Sequence, residues 1–209
     1  NATLGFFSPS FVSLGSDASL IFGDATSIDF ARNEELNTTW TFRGHCILSG
    51  ENHILTLGSL GNIVVDKHGA SLLLENMTIN GVSGNKIRCM DDTCTISFKN
   101  VHFIHDGNYS FTTGRFEVLD SFDVSGTYTF AYQSARQSTI VAGATMKLDR
   151  TLTFSYAPRI ANRDLLAMED ASAVLMLVGA TLASTTTGMR LTKGILLIDH
   201  KNYVTNPGA

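Results

Sequence analysis

The sequence predicts an all-β fold, a right-handed parallel β-helix (β-solenoid) of about eight coils with roughly 20–25 residues in each. The first observation is a recurring phrase. Ser71-Leu72-Leu73-Leu74-Glu75-Asn76-Met77-Thr78-Ile79 returns as Thr95-Ile96-Ser97-Phe98-Lys99-Asn100-Val101-His102-Phe103, and more loosely as Gly114-Arg115-Phe116-Glu117-Val118-Leu119-Asp120. The second is another phrase at a similar period, Thr127–Tyr132, which returns as Thr151–Tyr156. The third is patterning: apolar and polar residues alternate at period two in many windows, and helical spacing is nearly absent. Short strands that repeat in this way bury their apolar faces only against the next copy.

Taken in order, strands are expected at Ser19–Phe22, Trp40–Phe42, His53–Leu57, Ile63–Val65, Leu72–Leu74, Thr95–Phe98, Phe116–Leu119, Thr127–Tyr132, Thr151–Tyr156, Val174–Val178 and Gly194–Ile198. Gly, Asn, Asp and Ser turns separate them. The three prolines, Pro9, Pro158 and Pro207, all fall outside the strong strand phrases, as a ladder that uses every backbone N–H requires. Ala157–Asp164 reads as a protruding loop. Residues 1–15 read as an N-terminal apolar extension, a donor strand or a cap, and residues 16–209 as the solenoid. At a strand spacing of about 4.8 Å per coil, the stack is on the order of 40 Å long.

Composition narrows the function classes. The chain has 209 residues, 44% of them hydrophobic and 16% charged, enough for one continuous core. A formal charge of −4 and no Lys/Arg run argue against a nucleic-acid partner. No apolar stretch approaches the length that spans a bilayer. The chain opens on Asn1, which is read as the start of a processed mature form or a fragment.

Three cysteines permit one intrachain bridge. Cys89 and Cys94 bracket the turn Met90-Asp91-Asp92-Thr93 and are read as a disulfide, with two small buried thiols as the alternative. The segment Ala167–Val174 reads as a second copy of Cys89–Ile96 in which both cysteines are lost together, as a bonded pair predicts. Cys46 is expected to be a buried small hydrophobe.

Asn76 and Asn100 occupy the same place in successive copies, with Asp120 in the next, and stacked Asn side chains at a corner form a register-fixing ladder. Four Asn-x-Ser/Thr sequons begin at Asn1, Asn37, Asn76 and Asn108, of which Asn1, Asn37 and Asn108 are the plausible glycosylation sites. The six histidines lack metal-ligand spacing. His102 and His105, the closest pair, are expected on opposite faces of a strand. No metal and no cofactor are expected.

These repeats resemble the right-handed parallel β-helix, or pectin-lyase-like, superfamily. Phrases such as Asn85-Lys86-Ile87-Arg88-Cys89-Met90-Asp91-Asp92-Thr93-Cys94 and Thr187-Gly188-Met189-Arg190-Leu191-Thr192-Lys193-Gly194 are closer to secreted bacterial β-solenoid proteins of unassigned activity. The resemblance covers most of residues 40–200 and implies a fold and an extracellular or cell-surface setting, with no chemistry.

Within that superfamily, polysaccharide hydrolases place carboxylates on one face, which makes Asp91-Asp92 the best catalytic candidate, with Arg190 and Lys193 as a basic clamp. The pattern departs from theirs. The Asn-x-Asp element is missing, and Gly44-His45 precedes the acidic pair instead of following it. Glu169-Asp170 also repeats the acidic pair, which favours a turn device over a unique site. No enzyme activity is therefore expected. Tyr109, Tyr128, Tyr132 and Tyr156 are candidates for a glycan-binding groove, with stacked packing as the alternative reading.

The ends carry the functional expectation. A solenoid must cover the unpaired backbone of its terminal coils. Here the last coil, Gly194–Asp199, is strongly apolar, and residues 4–14 carry Phe6, Phe7, Phe11 and Val12 with no partner phrase. The expected function is a non-enzymatic extracellular filament subunit, its partner another copy of itself. Phe6, Phe7, Phe11 and Val12 would contact the neighbour at one end, and Leu196 and Ile198 at the other. The alternatives are a capped or fragmentary surface adhesin and a polysaccharide-binding or polysaccharide-cleaving β-helix.

Overall fold

The computed structural model describes residues 2–5, 19–159, 166–184, 189–199 and 203–205, the first and last of these as backbone alone. Among the described residues there is no helix, and the chain winds into a parallel β-solenoid of about seven turns. In order the strands are β1 (Ala2–Gly5), β2 (Ser19–Phe22), β3 (Thr26–Asp29), β4 (Glu34–Leu36), β5 (Thr39–Phe42), β6 (His45–Ser49), β7 (Ile54–Leu57) and β8 (Asn62–Val65). The long β9 (Ser71–Gly84), β10 (Ile87–Cys89) and the long β11 (Thr95–Phe111) follow. Above them come β12 (Arg115–Val118), β13 (Ser121–Ser125), β14 (Thr129–Tyr132), β15 (Ser138–Ile140), β16 (Thr145–Asp149), β17 (Thr153–Tyr156), β18 (Leu166–Met168), β19 (Val174–Val178), β20 (Thr181–Ser184), β21 (Ile195–Asp199) and β22 (Tyr203–Thr205).

Every pairing is parallel, and the strands stack in columns. β2, β5, β8 and β10 form one. β1, β3, β6, the first limb of β9, the first limb of β11, β12, β15 and β18 form a second. The third runs β4, β7, β9, β11, β13, β16, β19, β21. The last limb of β11 continues through β14, β17, β20 and β22.

The repeated phrases are these ladders. Ser71 pairs with Thr95 and Thr129 with Thr153, a step of 24 residues each time, while Thr95 pairs with Arg115 after 20. The step from Thr153 to Thr181 is longer. The expected loop, Ala157–Asp164, falls within this step, but its residues 160–164 lie outside the described residues.

β9 and β11 each turn a corner without leaving the ladder, because Asn76 (φ 52°) and Asn100 (φ 54°) sit in the left-handed region that Asn tolerates better than other non-glycine residues. Asn100 Nδ2 donates to Asn76 Oδ1 at 3.2 Å, and Ser121 Oγ donates to Asn100 Oδ1 at 3.1 Å. The third rung is therefore Ser121 and not Asp120. Between the pairs Phe98–Val118 and Val101–Phe122 the upper coil has one extra residue, which moves the corner along by one.

Inward positions alternate along each strand, as in Phe154 and Tyr156 of β17 and Leu175 and Leu177 of β19. Aromatic rings continue the stack through the core. Phe98 lies 4.0 Å from Phe122 at 9° between planes, and Tyr132 lies 5.9 Å from Tyr156 at 8°. Each fully buried ring contributes on the order of 2–3 kcal/mol by removal from water. Buried Tyr hydroxyls stay bonded: Tyr109 Oη donates to Ile87 O at 2.8 Å, and Tyr132 Oη reaches Arg136 O and Ser138 Oγ.

Candidate functional site

The last turn is built like the turns below it but is not covered like them. β21 pairs with β19 so that Leu196 lies over Leu175 and Ile198 over Leu177. Those two positions point into the core one turn below, where Leu175 and Leu177 are fully buried. In β21 they are 39% and 54% exposed, and their outward neighbours Ile195 and Leu197 are 47% and 41% exposed. Among the described residues no strand lies on the outer edge of β21. An open cleft of about 410 Å³ adjoins it, lined by Met189, Leu191, Thr192, Lys193, Gly194 and Leu196. Gly194 has φ 79°, and a Cβ there would meet Met168 Sδ at 2.0 Å, so the last turn is seated tightly on the one beneath.

At the other end, Leu4 and Gly5 belong to β1, which pairs with Ile28 and Asp29 of its own chain. Phe6, Phe7, Phe11 and Val12, expected to contact a neighbour, lie outside the described residues. The two ends differ in charge. Residues 19–37 carry Asp24, Asp29, Glu34 and Glu35 against Arg32, whereas residues 189–199 carry Arg190 and Lys193 against Asp199.

The acidic turns are structural devices. Asp91 Oδ1 accepts the Thr93 backbone N–H at 2.7 Å and also the Thr93 hydroxyl, and Asp170 Oδ1 accepts the same two bonds from Ser172 at 2.7 and 2.6 Å. These bonds hold both carboxyls below the usual Asp range. Each hydroxyl in turn accepts a backbone N–H of the turn below, Gly69 N to Thr93 Oγ1 at 2.7 Å and Gly143 N to Ser172 Oγ at 2.8 Å.

The match runs Asp91 to Asp170, so Met168 and Ala173 stand where Cys89 and Cys94 do, one place along from the alignment read in the sequence. The two turns also occupy different corners: Asp91 precedes the first limb of β11, while Asp170 follows β18, three strand spacings or about 14 Å along the stack. Lys193 Nζ donates to Glu169 O at 3.0 Å, so the basic residues sit at the upper corner, away from Asp91-Asp92.

The glycan platform is not formed. Tyr109, Tyr132 and Tyr156 are fully buried, and of the four candidates only Tyr128 is exposed. His102 and His105 do point to opposite sides. His102 Nε2 shares a hydrogen bond with Ser125 Oγ at 2.8 Å, but Ser125 is buried, so this pair presents no nucleophile to a substrate. His105 packs between Tyr109 and Phe130, neither ring nitrogen has a hydrogen-bond partner, and burial pushes its pKa down to about 4. Among the described residues no three His, Cys, Asp or Glu side chains converge as metal ligands, and no helix is long and apolar enough to cross a membrane.

Cys89 and Cys94 are free, buried thiols, and Cys94 Sγ donates to Lys67 O at 3.2 Å. Cys46 is buried, its sulfur on Gly23 O. Of the sequons, Asn37 is exposed with Nδ2 on Glu35 Oε1 at 2.8 Å, Asn108 is exposed with Oδ1 accepting Thr129 N at 3.0 Å, and Asn1 lies outside the described residues.

No protein-family model, curated protein or solved structure matches this chain. The end of the solenoid was legible in the sequence as an apolar last coil. The acidic first turn was not read there, although its signal, four carboxylates within residues 19–37, is plain once the turn is known.

Proposed function

We propose that the protein is a non-enzymatic structural protein that stacks end to end with copies of itself, the last turn of one against the first turn of the next. The observation that carries this reading is the exposure of Leu196 and Ile198 in a strand whose register continues the core. An edge of unpaired backbone above an apolar layer is completed best by another parallel strand of the same spacing. The excess of carboxylates at the first turn and of cations at the last favours a head-to-tail contact, which propagates into a filament unless rotation closes it. Strand β1, seated on its own first turn, would then offer its outer edge to the neighbour. An extracellular or cell-surface setting, with glycans on Asn37 and Asn108, accords with the resemblance to secreted surface solenoids and belongs to the same proposal.

A second reading, a single-copy surface domain whose first turn is capped by residues 1–15, is favoured by the pairing of β1 within its own chain. Sedimentation velocity and negative-stain electron microscopy over a range of concentrations separate the two. Rods that lengthen with concentration in steps of one solenoid length support stacking. A monomer at every concentration rejects it in favour of the capped domain.

A further inference from the structure

The corner that holds Cys89 and Cys94 recurs with other residues, and the substitutions are paired. Directly below, Val65 pairs with Cys89, and Ala70 O accepts the N–H of Thr95, which places Ala70 under Cys94. At the upper corner the same two places are filled by Met168 and Ala173. Ile140 and Ala144 fill them in the turn beneath that one, where the corner is one residue shorter. In each of these three turns a larger apolar residue shares the corner with an alanine. At the Cys89–Cys94 corner, by contrast, two residues of equal, intermediate size share the space.

The corner is also closed from above. Gly114 has φ 74°, and a Cβ there would meet Cys89 Cβ and Sγ at 2.7 Å and Cys94 O at 2.8 Å. Both thiols are held in place by the turn that stacks on them.

We propose that Cys89 and Cys94 are a disulfide-forming pair that locks the corner between β10 and β11, oxidised by exchange with a low-molecular-weight disulfide as the chain folds. The thiolate of one cysteine attacks one sulfur of the external disulfide and expels the other half as a thiolate, which leaves a mixed disulfide on that cysteine. The second cysteine then loses its proton to solvent and attacks the protein-bound sulfur, expelling the second half. Two protein thiols are oxidised and one external disulfide is reduced to two thiols. The exchange precedes closure of the corner, because both side chains are buried once the next turn is in place.

The test is to refold the chain in a glutathione–glutathione disulfide buffer, alkylate it and digest it with trypsin. Cleavage after Arg88 and Lys99 leaves both cysteines in one peptide. The expected result is a Cys89–Lys99 peptide two hydrogens lighter than its reduced form and free of alkylation, with Cys46 alkylated. Dithiothreitol should restore labelling at both positions. The variant C89V/C94A, which copies the corner below, should fold, and its melting temperature should lose the sensitivity to reductant that the parent shows. Full alkylation of all three cysteines after refolding, a bridge that includes Cys46, or equal reductant sensitivity in parent and variant would overturn the proposal.

Discussion

Leu196 sits in register over Leu175, on the same inward side of the same column, yet the first is 39% exposed and the second is fully buried. Nothing in the two residues themselves distinguishes them; among the described residues, no further strand lies over Leu196 as β21 lies over Leu175. If this end is a contact surface, L196K/I198K should abolish end-to-end growth while leaving the far-ultraviolet circular dichroism unchanged, since the inserted charges would be desolvated only in the assembly. Growth should also weaken as salt is raised from 50 to about 500 mM, as the opposed charges of the two ends are screened. Sedimentation velocity reads both effects, and unchanged growth of the variant would sink this surface.

Asn100 supplies both an unusual backbone angle and a rung to Asn76. Asn100→Ala should lower the unfolding free energy by about 1–2 kcal/mol through the left-handed φ and the lost hydrogen bond. Asn100→Gly should cost less, because glycine accepts the angle without a steric penalty. Urea denaturation of the two variants checks the order, and equal losses would remove the backbone from the account.

Phe122 is fully buried and touches Phe98 face to face and Phe103 edge to face, at 4.9 Å. Phe122→Ala should cost about 3–5 kcal/mol, and Phe122→Leu well under half of that. Because each turn contacts only its neighbours, the loss should appear as a second, earlier transition in thermal unfolding rather than as a uniform shift.

His105 has its pKa pushed down to about 4 by burial, against about 6.5 when the chain is unfolded. The unfolded chain therefore binds the proton more readily. The native protein keeps the full contribution above pH 6.5 and loses it as the pH falls from there to about 4, for a total of about 3 kcal/mol. His105→Leu should flatten that part of the stability–pH curve, and persistence of the slope in the variant would assign it to other groups.

The sequence exposed the strands with dense β-branched and aromatic content, such as Thr127–Tyr132, because β propensity and the repeat reinforce each other there. β13 (Ser121–Ser125) and β16 (Thr145–Asp149) escaped notice, since their outward positions carry Asp, Lys and Ser and their inward apolar residues are too few to stand out alone. They are strands because the turns on either side are strands. The same logic explains the misplaced acidic pair. Asp-x-Thr and Asp-x-Ser are local devices that fit any corner, so sequence similarity between them says nothing about which corner they occupy. The apolar character of β21 was legible because it depends on composition. Which residues face inward there depends on register, which only the ladder reveals.

The identical spacing of Phe130 and Phe154, and of Tyr132 and Tyr156, has a consequence for how the chain tolerates editing. Excising residues 129–152 would join Tyr128 to Thr153 and deliver β17 onto the limb of β11 that β14 now occupies, with β18 and β19 following onto β12 and β13. The core would meet the same side chains at the splice, and the molecule would simply be shorter by one strand spacing, as a ruler loses one division without changing its scale.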